Sequence, residues 1–192
     1  PTRAMERWAS PQEARRELEE VYRVSPNRAE LAMDCAQASL AAKRSLREDE
    51  VSLYIGIPFC PTRCAYCSFV SADVGRTMKL LSPFLEVLLQ EVDVTAAELK
   101  RAGYVVCTLY VGGGTPTTLS APQLETLLGR VGERFDLSRC TEYTVEAGRP
   151  DTITADKLAA IRRSGAQRVS VNPQTMQDSV LAAMGRAHTA RD

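Results

Sequence analysis

The run Pro58-Phe59-Cys60-Pro61-Thr62-Arg63-Cys64-Ala65-Tyr66-Cys67-Ser68-Phe69 places three cysteines within eight residues, directly after an apolar, strand-like stretch. Thiolates are ligands for zinc and for iron–sulfur clusters. A closed structural zinc site takes four ligands in a tetrahedron, and an ordinary iron–sulfur cluster takes four thiolates. No fourth cysteine follows at metal-finger spacing. Cys60, Cys64 and Cys67 therefore point to a cluster with one iron left open to a group that is not protein, the arrangement that catalytic metal sites keep. A zinc knuckle and three unrelated buried thiols are the alternatives.

Further along the chain stand other residues suited to chemistry. Gly112, Gly113 and Gly114 have no Cβ, which allows positive φ and close approach of the backbone to a ligand. Their spacing is neither GxGxxG nor a Walker loop, which argues against phosphate binding. Tyr66 either packs in the cysteine loop or faces a ligand. Glu146 ends a strand-like run whose inward face should be apolar, so its carboxylate pairs with a cation, Arg149 being near in sequence, or faces a ligand. Gln174 and Arg186 come later. An arginine suits a carboxylate through a planar two-pronged contact; the plainer reading of Arg186 is a surface residue at a helix end. His188, the one histidine, reads as a surface or helix-end residue, with axial haem ligation as its alternative chemistry. Cys35, Cys107 and Cys140 are isolated, and free cysteine commonly behaves as a small buried hydrophobe.

The elements that must position these residues are legible. Residues 1–50 read as polar helix: one segment over 11–23, a break at Ser25-Pro26-Asn27, then an alanine-rich segment over 28–47. Arg15 and Arg16 against Glu19 and Glu20 form a solvated face. This region is expected to be a linker from a preceding helical part, without chemistry. From residue 51 the rhythm changes. Four β-like runs, 51–57, 105–111, 141–146 and 168–171, alternate with helical stretches over 79–101, 121–135, 155–164 and 176–184. Ser120 and Gln123 have capping-box spacing with a proline in the first turn, and Gly103 and Gly165 sit where helix C-caps belong. Strand alternating with helix predicts an α/β fold with a parallel sheet. Right-handed crossovers then bring the C-terminal ends of all four strands, with their loops, to one rim.

Composition sets the frame. With 44% hydrophobic and 25% charged residues among 192, the chain can bury one substantial core. Its 24 basic and 24 acidic side chains cancel, which removes the electrostatic reason to expect nucleic acid or an anionic membrane as partner. No apolar run approaches about 18 residues and no signal-peptide pattern opens the chain, so the expected location is cytoplasmic. The clustered cysteines read as metal ligands in a reducing compartment rather than as a disulfide framework. A start at Pro1 and an end at Asp192 in an incipient helix lead to the expectation of a fragment.

The CxxxCxxC spacing with an aromatic before its last cysteine resembles the radical S-adenosylmethionine (SAM) superfamily. There, three cysteines hold a 4Fe–4S cluster, and the amino and carboxylate groups of SAM chelate the fourth iron. The stretches YIGIPFCPTRCAYCSF, YVGGGTPTTL, TVEAGRPD, VSVNPQTM and MGRAHT, in order between residues 51 and 189, resemble more closely the oxygen-independent coproporphyrinogen III oxidase (coproporphyrinogen dehydrogenase) family, in wording nearest its HemZ-like branch. The resemblance implies a partial radical SAM (β/α) barrel, with residues 51–192 its incomplete N-terminal part behind the 1–50 segment. Carried over by position, Cys60, Cys64 and Cys67 bind the cluster. Tyr54, Gly113 and Glu146 match contacts to one SAM, and Tyr66, Gly114, Thr115, Gln174 and Arg186 match contacts to a second. No catalytic residue is assigned. The implied chemistry is one-electron cleavage of SAM, hydrogen removal from a propionate by the resulting 5′-deoxyadenosyl radical, and loss of carbon dioxide to leave a vinyl group. The implied partners are a porphyrinogen and an electron donor such as a flavodoxin or ferredoxin. Two departures stand out: Phe69 where the family's best-defined oxidases have a further cysteine, and Gly56 where they have histidine. CxYCxF is shared with the family's haem-chaperone relatives, a second reading on the same fold. A zinc-stabilised interaction domain using the triplet with Cys107 or His188 is the alternative from another class.

Overall fold

The computed structural model describes residues 2–8, 10–69, 72–73 and 77–192. The chain divides into two compact units, Pro1–Glu48 and Asp49–Asp192. The first is helical: α1 (Thr2–Arg7), α2 (Pro11–Glu20) and α3 (Pro26–Ser45). Helix α2 begins with a capping box, in which Ser10 Oγ accepts from the Glu13 amide while the Glu13 carboxylate accepts from the Ser10 amide. Ala14 and Leu18 of α2 pack with Ala29 and Met33 of α3 and with Ala4. Arg15 and Glu19 pair across one turn of α2 at 2.8 Å, the solvated face expected from their spacing. Cys35 is exposed, which corrects its assignment as a buried hydrophobe.

In the second unit, β1 (Glu50–Ile57), β4 (Val105–Gly113), β5 (Glu142–Glu146) and β6 (Arg168–Ser170) form one sheet in the order β1-β4-β5-β6, every pairing parallel. Between them run α4 (Leu81–Ala102), α5 (Ala121–Arg134) and α6 (Ala155–Arg163), with α7 (Asp178–Ala183) after β6. The α/β fold read from the alternating pattern is the observed one. Alternate strand residues, Ile55, Ile57, Leu109, Val111, Tyr143 and Val145, are buried with Leu85 and Leu88 of α4 and Leu124, Leu127 and Val131 of α5. Helix α5 starts at the expected capping box of Ser120 and Gln123, and α4 ends at Gly103 in the left-handed conformation, φ 77°.

Beyond the sequence reading, β2 (Phe59–Cys60) and β3 (Ala72–Asp73) form a separate two-residue parallel pair. Two residues carry no period from which a strand could be read. Strand β4 also runs two residues further than expected, through Gly112 and Gly113, because their backbones stay in register with Gly56 and Ile57 of β1. No described helix is long and apolar enough to cross a membrane.

Candidate functional site

Because the sheet is parallel, the segments after β1, β4, β5 and β6 emerge at one rim, and a cavity of about 190 Å³ opens there. Its wall combines Cys60, Cys64 and Cys67 with Tyr66 and Phe69 of the segment after β1, then Gly113, Gly114 and Thr115 at the end of β4. Glu146, Gly148 and Arg149 come from the β5 end, and Asn172, Gln174 and Arg186 close the far side. Ten of the eleven residues assigned to cluster or SAM are thus brought together. Tyr54 is the exception: half-exposed on β1, it stacks on Tyr110 with ring centroids 5.9 Å apart and lines a different cavity, with Phe84 and Leu88.

The cysteine loop is held from several sides. A turn closes from the Cys67 amide to the Cys64 carbonyl at 3.1 Å, and the Ala65 amide donates to the Met184 carbonyl at 3.0 Å. Thr62 Oγ1 donates to the Gly185 carbonyl at 2.9 Å. Cys60 and Cys64 are buried and Cys67 is half-buried; Cys60 Sγ lies 3.4 Å from the Thr115 hydroxyl. Among the described residues, no three Cys, His, Asp or Glu side chains are drawn into a metal-holding group: the sulfurs share a cavity wall rather than a closed cage. The donor set fits an iron–sulfur cluster in kind, since three thiols line one cavity together with glycines and two arginines.

The glycines act first on the protein's own backbone. Gly113 has φ 112°, and a Cβ there would stand 2.8 Å from the Ile57 nitrogen. A Cβ on Gly114 would stand 2.6 Å from the Phe59 carbonyl oxygen and 2.9 Å from Cys60 Sγ. Any side chain at either position would push the end of β4 away from the cysteine strand. Beneath this loop, Lys157 Nζ donates to the carbonyls of Thr117 and Thr152, at 2.6 and 3.0 Å, and ties the β4 and β5 loops together.

Glu146 does not pair with Arg149. Its carboxylate accepts a 2.6 Å hydrogen bond from Tyr110 Oη, which, with burial, pushes the Tyr110 phenol up to about 12. Burial, then the Glu146 charge, raises Tyr54 as well. The register Tyr54, Tyr110, Thr144 across β1, β4 and β5 sets these side chains on one face. Tyr110 was missed because a tyrosine in a strand is ordinary; its parity with Glu146 was the available signal.

Arg149 is buried and turns to the cysteine loop instead: it donates to Thr62 Oγ1 and to the Thr62 carbonyl, each at 2.8 Å, and to Cys64 Sγ at 2.9 Å. Arg186, half-buried just beyond the end of α7, is tied to the site: Nη1 donates to the Gly148 carbonyl at 3.2 Å, Nη2 donates to Tyr66 Oη at 3.2 Å, and buried Nε has no partner. Arg186 lines the cavity, and a guanidinium there suits a ligand oxygen. Gln174 holds φ 69°, a left-handed conformation that costs a non-glycine residue about 1–3 kcal/mol. His188 is buried, with Nε2 3.2 Å from the Pro173 carbonyl and Nδ1 3.8 Å from Asp151, which corrects its reading as a surface residue. It lines another cavity, beside Pro150 and Ile153. Cys107 lies six residues before Gly113 on β4 and donates to the Val51 carbonyl. At about 3.3 Å per strand residue it is roughly 20 Å from the cysteine rim, so it does not complete a zinc site with the triplet, and His188 is not among the residues that line the cysteine cavity.

The profile described as the Radical SAM superfamily matches residues 54–192. Over 186 residues the chain is 39% identical to the oxygen-independent coproporphyrinogen-III oxidase-like protein HemZ of Bacillus subtilis, covering 95% of this chain and 37% of the relative. It is 37% identical over 138 residues to the heme chaperone HemW of Escherichia coli, covering 72% of this chain and 35% of that one. The solved structure of coproporphyrinogen III oxidase (HemN) from Escherichia coli superposes with a TM-score of 0.64 at 31% identity, over 79% of this chain and 34% of its own. The chain spans little more than a third of the length of these relatives.

Proposed function

The chain belongs to the radical SAM superfamily, and on that premise we propose that it forms the cluster- and SAM-binding part of an oxygen-independent coproporphyrinogen III dehydrogenase. The membership implies a 4Fe–4S cluster and SAM, and the relatives are of the HemN, HemZ and HemW kind. The observation that carries the proposal is the single cavity whose wall joins the three cysteines to Gly113, Gly114, Thr115, Glu146, Gln174 and Arg186. When bound, cluster and SAM supply a one-electron cleavage that yields a hydrogen-abstracting radical.

The chain's own residues bind and orient. Cys60, Cys64 and Cys67 are the cluster ligands in this reading. Gly113 and Glu146 hold one SAM; Tyr54, the third residue matched to it, reaches this site only through its stacking partner Tyr110, which bonds to Glu146. Tyr66, Gly114, Thr115, Gln174 and Arg186 hold a second. Glu146 is kept in place by Tyr110, and its carboxylate suits an ammonium or a ribose hydroxyl. Arg186, which lines the cavity, suits a carboxylate. The substrate is coproporphyrinogen III, whose propionates become vinyls in porphyrin synthesis, and electrons come from a flavodoxin- or ferredoxin-like donor in the cytoplasm.

A second reading, a haem-binding chaperone, has an observation of its own. Phe69, exposed at the mouth of the cavity, stands where the oxidases have a further cysteine. The test uses the full-length protein, reconstituted anaerobically with iron and sulfide and given SAM, a reductant and coproporphyrinogen III. Formation of 5′-deoxyadenosine in step with protoporphyrinogen IX supports the dehydrogenase. Deoxyadenosine without decarboxylated porphyrinogen rejects that substrate, and haem titration then tests the chaperone.

A further inference from the structure

Arg149 is the one buried arginine among the described residues, 2% exposed. A buried guanidinium needs acceptors for its N–H donors, of which it has five. Its hydrogen bonds go to two oxygens of Thr62 and to Sγ of Cys64, and none of these acceptors is a carboxylate. Both Nη groups are thus turned onto the cysteine loop, one of them onto a sulfur of the triplet. A cysteine that coordinates iron is a thiolate, the stronger acceptor for such a donor.

Resting on the cluster-binding reading above, we propose that Arg149 is a positioning residue for the iron–sulfur cluster: its guanidinium sets the turn between Cys60 and Cys64 and donates a charge-assisted hydrogen bond to the Cys64 ligand sulfur. Two features of the geometry make this specific. Both Thr62 contacts fall on the residue midway between the two cysteines, so one planar fork fixes the backbone carbonyl and the side chain that precede Cys64. Pro150 follows at the start of a short turn closed by the Thr152 amide on the Arg149 carbonyl, at 3.1 Å, which anchors the arginine's own backbone at the end of β5. The arginine thus couples the sheet to a loop that has little regular structure to hold it. A positive donor on a cluster sulfur favours the reduced, more negative cluster, since hydrogen bonds to the sulfurs and local charge set the potential.

The test compares wild-type full-length protein with Arg149→Met and Arg149→Lys, after anaerobic reconstitution, by iron per chain, thermal unfolding and EPR-monitored redox titration. Arg149→Met is expected to shift the cluster's midpoint to more negative potential, and Arg149→Lys, which keeps the charge without the fork, to recover part of the shift. Equal potentials in wild type and loaded Arg149→Met overturn the inference while leaving the cluster reading intact. If Arg149→Met binds no iron, Arg149→Lys decides: a displaced potential, or lost iron with a wild-type unfolding curve, supports a positioning role. An unchanged potential, or iron lost together with the fold, reduces Arg149 to a structural residue and overturns it. Wild-type protein that assembles no cluster overturns the cluster reading, and this inference with it.

Discussion

On the helix-covered face of the sheet, Ile55, Ile57, Leu109, Val111 and Val145 are all at 4% exposure or less. One residue along the same strands, Tyr54, Tyr110 and Glu146 carry rings, hydroxyls and a carboxylate joined by stacking and a hydrogen bond, with Thr144 beside Tyr110 in register. The period of two that separates the faces also separates their duties. The first face holds the sheet by burial, which is non-directional and tolerant of which apolar residue supplies it. The second holds geometry, through contacts that depend on particular atoms and contribute little to the fold.

Substitutions in the buried face and at the rim should therefore have opposite signatures. Leu109→Ala on the buried face is expected to cost about 2–5 kcal/mol in denaturant unfolding, with iron loading preserved in whatever fraction remains folded. A smaller loss of stability, about 1–3 kcal/mol from the left-handed backbone, is expected for Gly113→Ala. Its Cβ would strike the Ile57 backbone, so the comparison predicts that iron per chain falls more than stability does. Unchanged iron would mean that the rim tolerates movement and that the contrast between core and rim is overstated.

Tyr110→Phe removes only the hydroxyl on Glu146, a loss of about 0.5–1.5 kcal/mol. It also carries a pH signature. The folded phenol is held near 12 against an ordinary value of 10.0, so the folded state keeps its proton longer than the unfolded one. The stability from this pair is fully present below pH 10 and is lost as pH rises from 10 to about 12. Thermal unfolding between these values should slope downward in the wild type and less so in the variant; equal slopes would exclude the pair as the cause. Ser120→Ala, at the start of a helix on the buried face, should cost about 1 kcal/mol through the lost cap and leave iron binding untouched.

The alternation of strand and helix was legible because each element has its own period and end signals, and boundaries such as Ser120 and Gly103 fell where capping chemistry puts them. The cysteine triplet was legible because its ligand spacing is local. The partners were not. Arg149 stands three residues from Glu146 and bonds to Thr62, 87 positions away, while Tyr110 reaches Glu146 across 36. His188, read as exposed, is buried because the chain after α7 folds back against Pro173.

The sequence by itself determined the order of the elements, the parallel sheet and the rim on which the cysteines, glycines and Glu146 meet, since hydrophobic period and chain connectivity decide these. Only the tertiary structure decided which side chain faces which. A guanidinium takes the acceptors that packing brings within about 3 Å, and sequence distance does not measure that.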